Sequence, residues 1–278
     1  MIRLNDKEPF SPIEYAYEVD AVLLRKESAF QEILVVENPY FGRMMVLDGI
    51  VQLTSRDEFF YHEMLTHVVM HAHPSPKTVA VVGGGDGAVL REVLKHSGIE
   101  KVFLVEIDEE IIKASKLFFP DMAASLDDPR VEIKLMDGAE FVRAPECYID
   151  VFIVDAGDIV GFAKSLFAEE FFRSLADSLG DDGVFVTHTG SMHFHRNMVL
   201  DVQSTLKEIL PVVDLYTASL ATCPGNWWTF SAASKKYGLR DMRRPFQVKT
   251  RYYDDEIHKQ CFITEKLYAK FMRGGLEW

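Results

Sequence analysis

One turn constrains this chain more than any other feature. The apolar run Thr78-Val79-Ala80-Val81-Val82 leads into Gly83-Gly84-Gly85-Asp86-Gly87, and the helix-forming stretch AVLREVL follows at once. Glycine is needed where backbone adopts unusual dihedrals and comes close to a ligand. A bare G-x-G-x-G is a weak signal, but here it sits between a strand and a helix, the context a nucleotide-binding turn requires. Two further acids reinforce it. Glu106 lies twenty residues past Asp86 at the end of the next apolar run, where a carboxylate can accept hydrogen bonds from both ribose hydroxyls. Asp137-Gly138 closes a third run, where a carboxylate can accept from an adenine amino group.

The rest of the pattern agrees. Strands are expected at 78–82, 101–106, 131–135, 151–154 and 184–187, alternating with helices at 88–96, 109–118, 138–142, 168–179 and 196–209. Two final strands are expected at 212–218 and 227–233. The run 151–154 has no polar alternation, as suits a parallel strand covered on both faces. Such alternation implies an α/β fold with a doubly wound sheet, whose ligands sit beyond the carboxyl ends of the strands. Upstream, 15–24, 32–37, 43–47 and 50–53 read as short strands, and Asp48-Gly49 is a two-residue hairpin signal. Helical spacing over 57–71 is broken by His73-Pro74-Ser75-Pro76. The expected organisation is an N-terminal β-strand domain (1–56), a linking helix and turn (57–76) and a catalytic α/β domain (77–278).

Composition excludes several classes. A formal net charge of -13 repels nucleic acid and anionic membrane, though it would attract polyamines. Cys147, Cys223 and Cys261 form neither a disulfide framework nor a zinc pattern, so thiols in a reducing cytoplasm are expected and no metal site. The opening MIRLNDKEPFSP has no signal-peptide pattern, and no run reaches the length of a membrane span. A cytoplasmic protein without nucleic-acid or membrane partners is expected.

The cofactor choice turns on two positions. The NAD fingerprint wants a third glycine at position 88, which is Ala. The spacing, with Glu106 and Asp137, resembles the Rossmann-like fold of class I S-adenosylmethionine-dependent methyltransferases. Asp86 then puts a carboxylate where the cofactor tail should lie. It would repel the carboxylate of S-adenosylmethionine and attract the lone amine of the decarboxylated form. The alternative is that Asp86 caps the following helix; the residues alone leave both open. Asp155 and Asp158, three apart at the end of the fourth strand, should project over the same crevice. A carboxylate there can hold an ammonium and take its proton as the nitrogen attacks a sulfonium carbon.

Longer stretches carry a more specific likeness. FGRMMVLDGIVQLTSRDEFFYHEMLTHV, VVGGGDGAVLREVLKH, LVEID, DDPR, MDGAEFV, IVDAGD, SLFAEEFF and RYYDDEIH together resemble the spermidine synthase (polyamine aminopropyltransferase) family over nearly the whole chain. That resemblance implies a small N-terminal antiparallel β-domain before a Rossmann-like domain, and a homodimer or homotetramer. It implies decarboxylated S-adenosylmethionine as co-substrate with no prosthetic group, and a polyamine as the second substrate, putrescine by default. It implies that Gln52, Gly83, Gly85, Asp86, Glu106, Asp137, Gly138 and Asp155 line the nucleoside site. Asp86 would hold the aminopropyl amine, Glu106 the ribose and Asp137 the adenine. Asp155 matches the family's base, while Tyr61, His62 and Asp158 match positions near the acceptor amine.

The chain departs from the family pattern mainly on the acceptor side. The usual D-P-x-G-P-A loop is Asp158-Ile159-Val160-Gly161-Phe162-Ala163, without its prolines, which predicts a more mobile gate carrying the apolar bulk of Phe162. Cys223 stands where the family usually has a tyrosine. The stretch Thr187–Ser191 carries no acid, and Phe262-Ile263-Thr264 replaces F-x-L-P. Agmatine, cadaverine or a triamine are therefore alternative acceptors. An amine methyltransferase and a non-catalytic polyamine sensor are the competing classes.

Overall fold

A computed structural model describes residues 2–157 and 161–273. The chain begins with strands β1 (Ile2–Lys7), β2 (Glu14–Val19), β3 (Ala21–Glu27), β4 (Glu32–Asn38), β5 (Gly42–Leu47) and β6 (Ile50–Thr54). β1 and β2 pair as an antiparallel ribbon, and β3-β4-β5-β6 form an antiparallel meander. The β5–β6 turn has φ 48° at Asp48 and 82° at Gly49, the two positive values a type I′ hairpin needs. The run expected as one strand at 15–24 is two strands. It breaks at Asp20, whose N–H bonds the Glu37 carbonyl at 2.8 Å, and its halves join different sheets. β1 was not foreseen, because only one apolar side chain in it, Leu4, is buried.

The linking helix α1 (Glu58–Ala72) ends just before the prolines, which cannot continue it. The second half holds β7 (Thr78–Gly83), α2 (Ala88–Leu94), β8 (Lys101–Glu106), α3 (Glu109–Phe118), α4 (Pro120–Ala123), β9 (Val131–Leu135), α5 (Gly138–Phe141) and β10 (Ile149–Asp155). It continues with α6 (Glu169–Ser178), β11 (Leu179–Ser191), α7 (Arg196–Ile209), β12 (Val212–Ser219), β13 (Trp227–Ser234), α8 (Asp255–Gln260) and α9 (Glu265–Met272). The sheet order is β12-β13-β11-β10-β7-β8-β9, parallel except where β13 pairs antiparallel with β11 and β12. The order reverses between β7 and β10, so the crevice opens beyond their carboxyl ends.

Alternation along each buried strand feeds two cores. Val79, Val81, Val151, Ile153, Val184 and Val186 pack with α1 and α2 on one face. Ala80, Val82, Phe152, Val154 and Phe185 pack with α6 and α7 on the other. Each fully buried aliphatic contributes about 1.5–3 kcal/mol. The meander does not stand apart: Ile33, Val35, Met45 and Leu53 pack against Ile111 and Ala114 of α3, Phe119 at the α3–α4 junction and Met122 of α4. β11 extends well beyond the expected 184–187, because Gly180-Asp181-Asp182-Gly183 reads as a turn in sequence. Helices α8 and α9 had no sequence expectation.

Behind the sheet lies a chain of buried imidazoles. Arg244 Nη2 donates to His96 Nδ1 at 3.0 Å, which leaves His96 Nε2 to donate to His67 Nδ1 at 3.0 Å. His67 Nε2 then donates to Glu92 Oε2 at 2.9 Å. The guanidinium, which can only donate, settles the tautomers of His96 and His67 and leaves the Nδ1 lone pair of each engaged. Of the three clustered rings His67, His71 and His96, these two thus have no lone pair left over, while His71 donates from Nδ1 to the His67 carbonyl at 2.9 Å.

Burial holds these groups neutral: His71 is pushed down to about 3, His96 to about 2 and His258 to about 4. Their folded values lie below the unfolded value of about 6.5, so over that interval only the unfolded chain takes up the proton. Stability is therefore complete at neutral pH and falls as pH drops below about 6.5, by about 1.4 kcal/mol per pH unit per histidine. His71→Phe keeps the stack on Tyr253, whose centroid is 5.6 Å away. In urea unfolding it should make the loss of stability from neutral to mildly acid pH shallower by one proton. An unchanged slope would show that His71 is not buried neutral.

Candidate active site

The glycine turn is built on one close approach. Gly84 N–H donates to the Asp155 carbonyl at 3.0 Å, tying the end of β7 to the end of β10. Gly83 has φ 79°, and a Cβ there would lie 2.1 Å from that carbonyl oxygen. Gly85 leaves the same kind of room for Glu106, whose Oε2 would be 2.8 Å from a Cβ. At Gly83 glycine is needed for steric reasons before any ligand is considered, whereas at Gly85 a Cβ would crowd only the Glu106 side chain.

Around the turn stands a cleft of about 240 Å³. All the described residues expected at the site line it: Gln52, Tyr61, His62, Gly83, Gly85, Asp86, Glu106, Asp137, Gly138 and Asp155. Asp158 and Ile159-Val160 lie outside the described residues, so the expected gate is not part of this geometry. Each strand end supplies one acid. Glu106, closing β8, accepts from Gly85 N at 3.1 Å and from Asp108 N at 2.8 Å, bridging two loops. Burial pushes its carboxyl up to about 7. Asp137 starts α5 and accepts from Ala139 N at 2.8 Å. Gln52 comes from β6, so the meander forms one wall.

Asp86 lies one residue before the α2 N-cap, Gly87, and still serves the first turn of the helix. Its Oδ1 accepts from Ala88 N at 2.7 Å, at the start of α2, and the residue also lines the cleft. A bond to the helix start therefore does not take the carboxylate out of the cleft.

Two carboxylates meet over the turn. One oxygen each of Asp86 and Asp155 and one ring nitrogen of His62 all lie within 4.8 Å of one another. Like charges at that spacing repel by roughly 3–4 kcal/mol at an effective dielectric of about 20. Tyr61 Oη donates to Asp155 Oδ1 at 2.8 Å. Burial pushes the Asp155 carboxyl up, the His62 charge pulls it back, and Asp86 pushes it up again; the net direction is upward. For His62, burial works downward. Its bond to Glu58 and the charges of Asp86 and Asp155 outweigh that and hold it at about 9.

Sequence reasoning missed several cleft residues. Glu58 bonds His62 Nδ1 through Oε2 at 2.8 Å, and their spacing of four on one helix was a legible signal. His188 lies on β11, bonds the Ala156 carbonyl at 2.6 Å and stacks on Trp228 at 6.0 Å and 14°. Both rings line the cleft with Cys223, which the family pattern had already marked; no local motif gave His188 or Trp228 a role. Among the described residues, no lysine or arginine lines it.

The parallel order β11-β10-β7-β8-β9 with an antiparallel β13-β12 edge, and acids at the strand ends, defines a Rossmann-like enzyme of the class I methyltransferase type. Comparison with known proteins narrows this. Residues 58–242 match the family model for the spermine/spermidine synthase domain, and residues 5–55 that for the spermidine synthase tetramerisation domain. A polyamine aminopropyltransferase of Hydrogenobaculum sp. is 45% identical over 273 residues, 98% of each chain. Polyamine aminopropyltransferase 1 of Aquifex aeolicus is 46% identical over the same shares. A crystal structure of spermidine synthase in complex with the transition-state analogue AdoDATO has a TM-score of 0.91 at 33% identity, covering 99% of this chain and 96% of that one. The chain belongs to the spermine/spermidine synthase family and is an aminopropyltransferase.

The close approach at the turn gives a direct test. Gly83→Ala combines positive φ with a backbone clash, and should cost about 2–4 kcal/mol of stability. Thermal unfolding reads this; a loss below about 1 kcal/mol would mean that the β7 and β10 ends are not locked together as described.

Proposed function

We propose that the chain moves the aminopropyl group of decarboxylated S-adenosylmethionine to putrescine, giving spermidine and 5′-methylthioadenosine. One observation carries this reading: two carboxylates crowd over the glycine turn while, among the described residues, no lysine or arginine lines the cleft. A ligand tail bearing its own carboxylate, as in S-adenosylmethionine, would find no cationic partner among the described residues beyond His62. A tail ending in an ammonium finds Asp86.

In this reading Glu106 accepts from the ribose hydroxyls, Asp137 from the adenine amine, and Gln52, Gly83, Gly85 and Gly138 complete the nucleoside site. The acceptor enters as an ammonium, which has no lone pair. Asp155 holds it and removes one proton, with Tyr61, His62 and Asp158 as neighbours of the acceptor. The freed nitrogen pair attacks the aminopropyl carbon attached to sulfur. A C–N bond forms, the C–S bond breaks, and its electron pair neutralises the sulfonium as 5′-methylthioadenosine leaves. The sulfonium is a good leaving group, so no general acid is needed. The upward push on Asp155 suits a base that must take up a proton.

An oligomer fits the tetramerisation-domain match, and a homodimer or homotetramer is the proposed assembly. No helix among the described residues is long and apolar enough to cross a membrane. A cytoplasmic place of action belongs to the same proposal.

Asp155→Asn should lower kcat by about 10²- to 10⁴-fold while leaving nucleoside binding nearly intact by calorimetry. Near-normal turnover would remove Asp155 as the base. Mass spectrometry of products from decarboxylated S-adenosylmethionine and an amine panel should show spermidine as the main product. Preferential use of agmatine, cadaverine or a triamine would reassign the acceptor. Tighter calorimetric binding of intact S-adenosylmethionine would favour a methyltransferase instead.

A further inference from the structure

Beside the cleft runs a chain of ion pairs, centred on the buried carboxylates Glu58 and Glu92, that the reaction as proposed does not use. Arg91, on α2 and outside the cleft lining, grips Glu58 in bidentate fashion: Nη1 to Oε1 at 3.1 Å and Nη2 to Oε2 at 2.8 Å. Its Nε is held by Glu92 Oε1 at 2.8 Å. Glu92 is itself held by Lys95 at 2.5 Å and by His67 at 2.9 Å. Glu58 Oε2 then reaches His62 Nδ1, and the far ring nitrogen, Nε2, stands 3.9 Å from Asp86 Oδ1.

The ring's surroundings decide its charge state. His62 faces Glu58 from α1, Asp86 from the glycine turn and Asp155 from β10. Tyr61 lies edge-on at 5.1 Å with its hydroxyl already given to Asp155. A neutral imidazole donating Nδ1–H to Glu58 would turn a lone pair at Nε2 toward Asp86, acceptor against acceptor. The other neutral tautomer would oppose Nδ1 to Glu58 in the same way. Only the imidazolium offers a donor on both sides. Glu58 is buried too, and could take the proton itself. The bidentate guanidinium keeps Glu58 ionised, so the proton stays on His62.

We propose that the Glu58–Arg91 ion pair is a positioning device that holds His62 as an imidazolium between Asp86 and Asp155, so that both carboxylates stand ionised before a cationic substrate arrives. Arg91 touches no cleft surface and acts through Glu58. The kinetic consequence rests on the function proposed above, whereas the charge state of His62 does not.

The test uses the full chain labelled with ¹⁵N-histidine, titrated by NMR without ligand, alongside kcat/KM against pH. Glu58→Gln keeps the shape and an acceptor oxygen but removes the charge. The His62 midpoint should fall by at least about one pH unit. Arg91→Lys keeps a cation without the two-pronged grip and should lower the midpoint by less. It serves as the principal variant if Glu58→Gln does not fold. Because the ring is still protonated where Asp155 titrates, the acid limb is read in His62→Gln, where Asp155 loses its cationic neighbour and the limb should move up by about half to one unit. A His62 midpoint unmoved in a folded Glu58→Gln or Arg91→Lys overturns the proposal. So does an acid limb that stays fixed in folded His62→Gln, which is what a purely structural ring would give. If no amine is turned over, the proposed function fails, and the Asp155 carboxyl titration followed by ¹³C NMR replaces the acid limb; it must rise in His62→Gln for the proposal to stand.

Discussion

The hydrogen bond from Gly84 N–H to the Asp155 carbonyl fastens together the two strands that flank the switch point of the sheet. Nearly everything in the cleft follows from that contact. It needs a backbone without a Cβ at Gly83, and it fixes where β10 stops. Because the carbonyl of Asp155 is pinned, its side chain must stand over the turn, within reach of Asp86 and Tyr61 Oη. The alternation of Val151, Phe152, Ile153 and Val154 between two cores then makes the strand rigid behind the carboxylate. Precision in the acid's position is thus set by packing and by backbone, not by the acid itself.

Crowding acids has an electrostatic cost that the fold offsets locally. Asp86 is partly neutralised by the N–H of Ala88, Asp155 by the hydroxyl of Tyr61, and both by the His62 ring. Glu106 has only backbone donors, and burial leaves its carboxyl near neutrality at about 7. A ligand that brings hydroxyl donors to Glu106 and positive charge to the Asp86–Asp155 pair would relieve both strains at once. The -13 net charge adds a long-range field of the same sign. Local and global electrostatics therefore favour the same kind of guest, a cation carrying a hydroxylated nucleoside.

Much of this was legible from sequence because the glycine turn and the strand-end acids are local features. Gly83, Gly85, Glu106 and Asp137 need only a strand, a turn and a fixed offset to be recognised. Contacts between distant segments were not legible. Arg91 meets Glu58 across thirty-three residues, and Thr222 donates to Asp57 across one hundred and sixty-five, with no shared motif. The split of the expected strand at Asp20 was hidden for a similar reason, since an amphipathic run does not say which sheet each half will join. β11 was underestimated because its glycine- and aspartate-rich start opposes strand propensity, and pairing with β13 from Val184 onward together with the Leu179–Ile149 contact overrides it.

The same distinction between local and distant determinants separates the two halves of the cleft. Of the residues proposed for the nucleoside, Gly83, Gly85, Glu106 and Asp137 sit at the ends of successive parallel strands, where the fold dictates position, while Gln52 comes from the meander. The side of the cleft proposed for the acceptor draws on α1, on β11 and on the 220–224 segment between β12 and β13, joined only by tertiary packing. There the identity of each side chain sets the shape. Cys223 offers less volume than an aromatic ring, while the stacked His188 and Trp228 close the space beside it with flat, rigid faces. Tyr61 packs against both His188 and Phe230, so its hydroxyl is held on Asp155 by that aromatic wall. Under the proposed function, a change of acceptor could therefore arise by resizing this wall without moving Asp155.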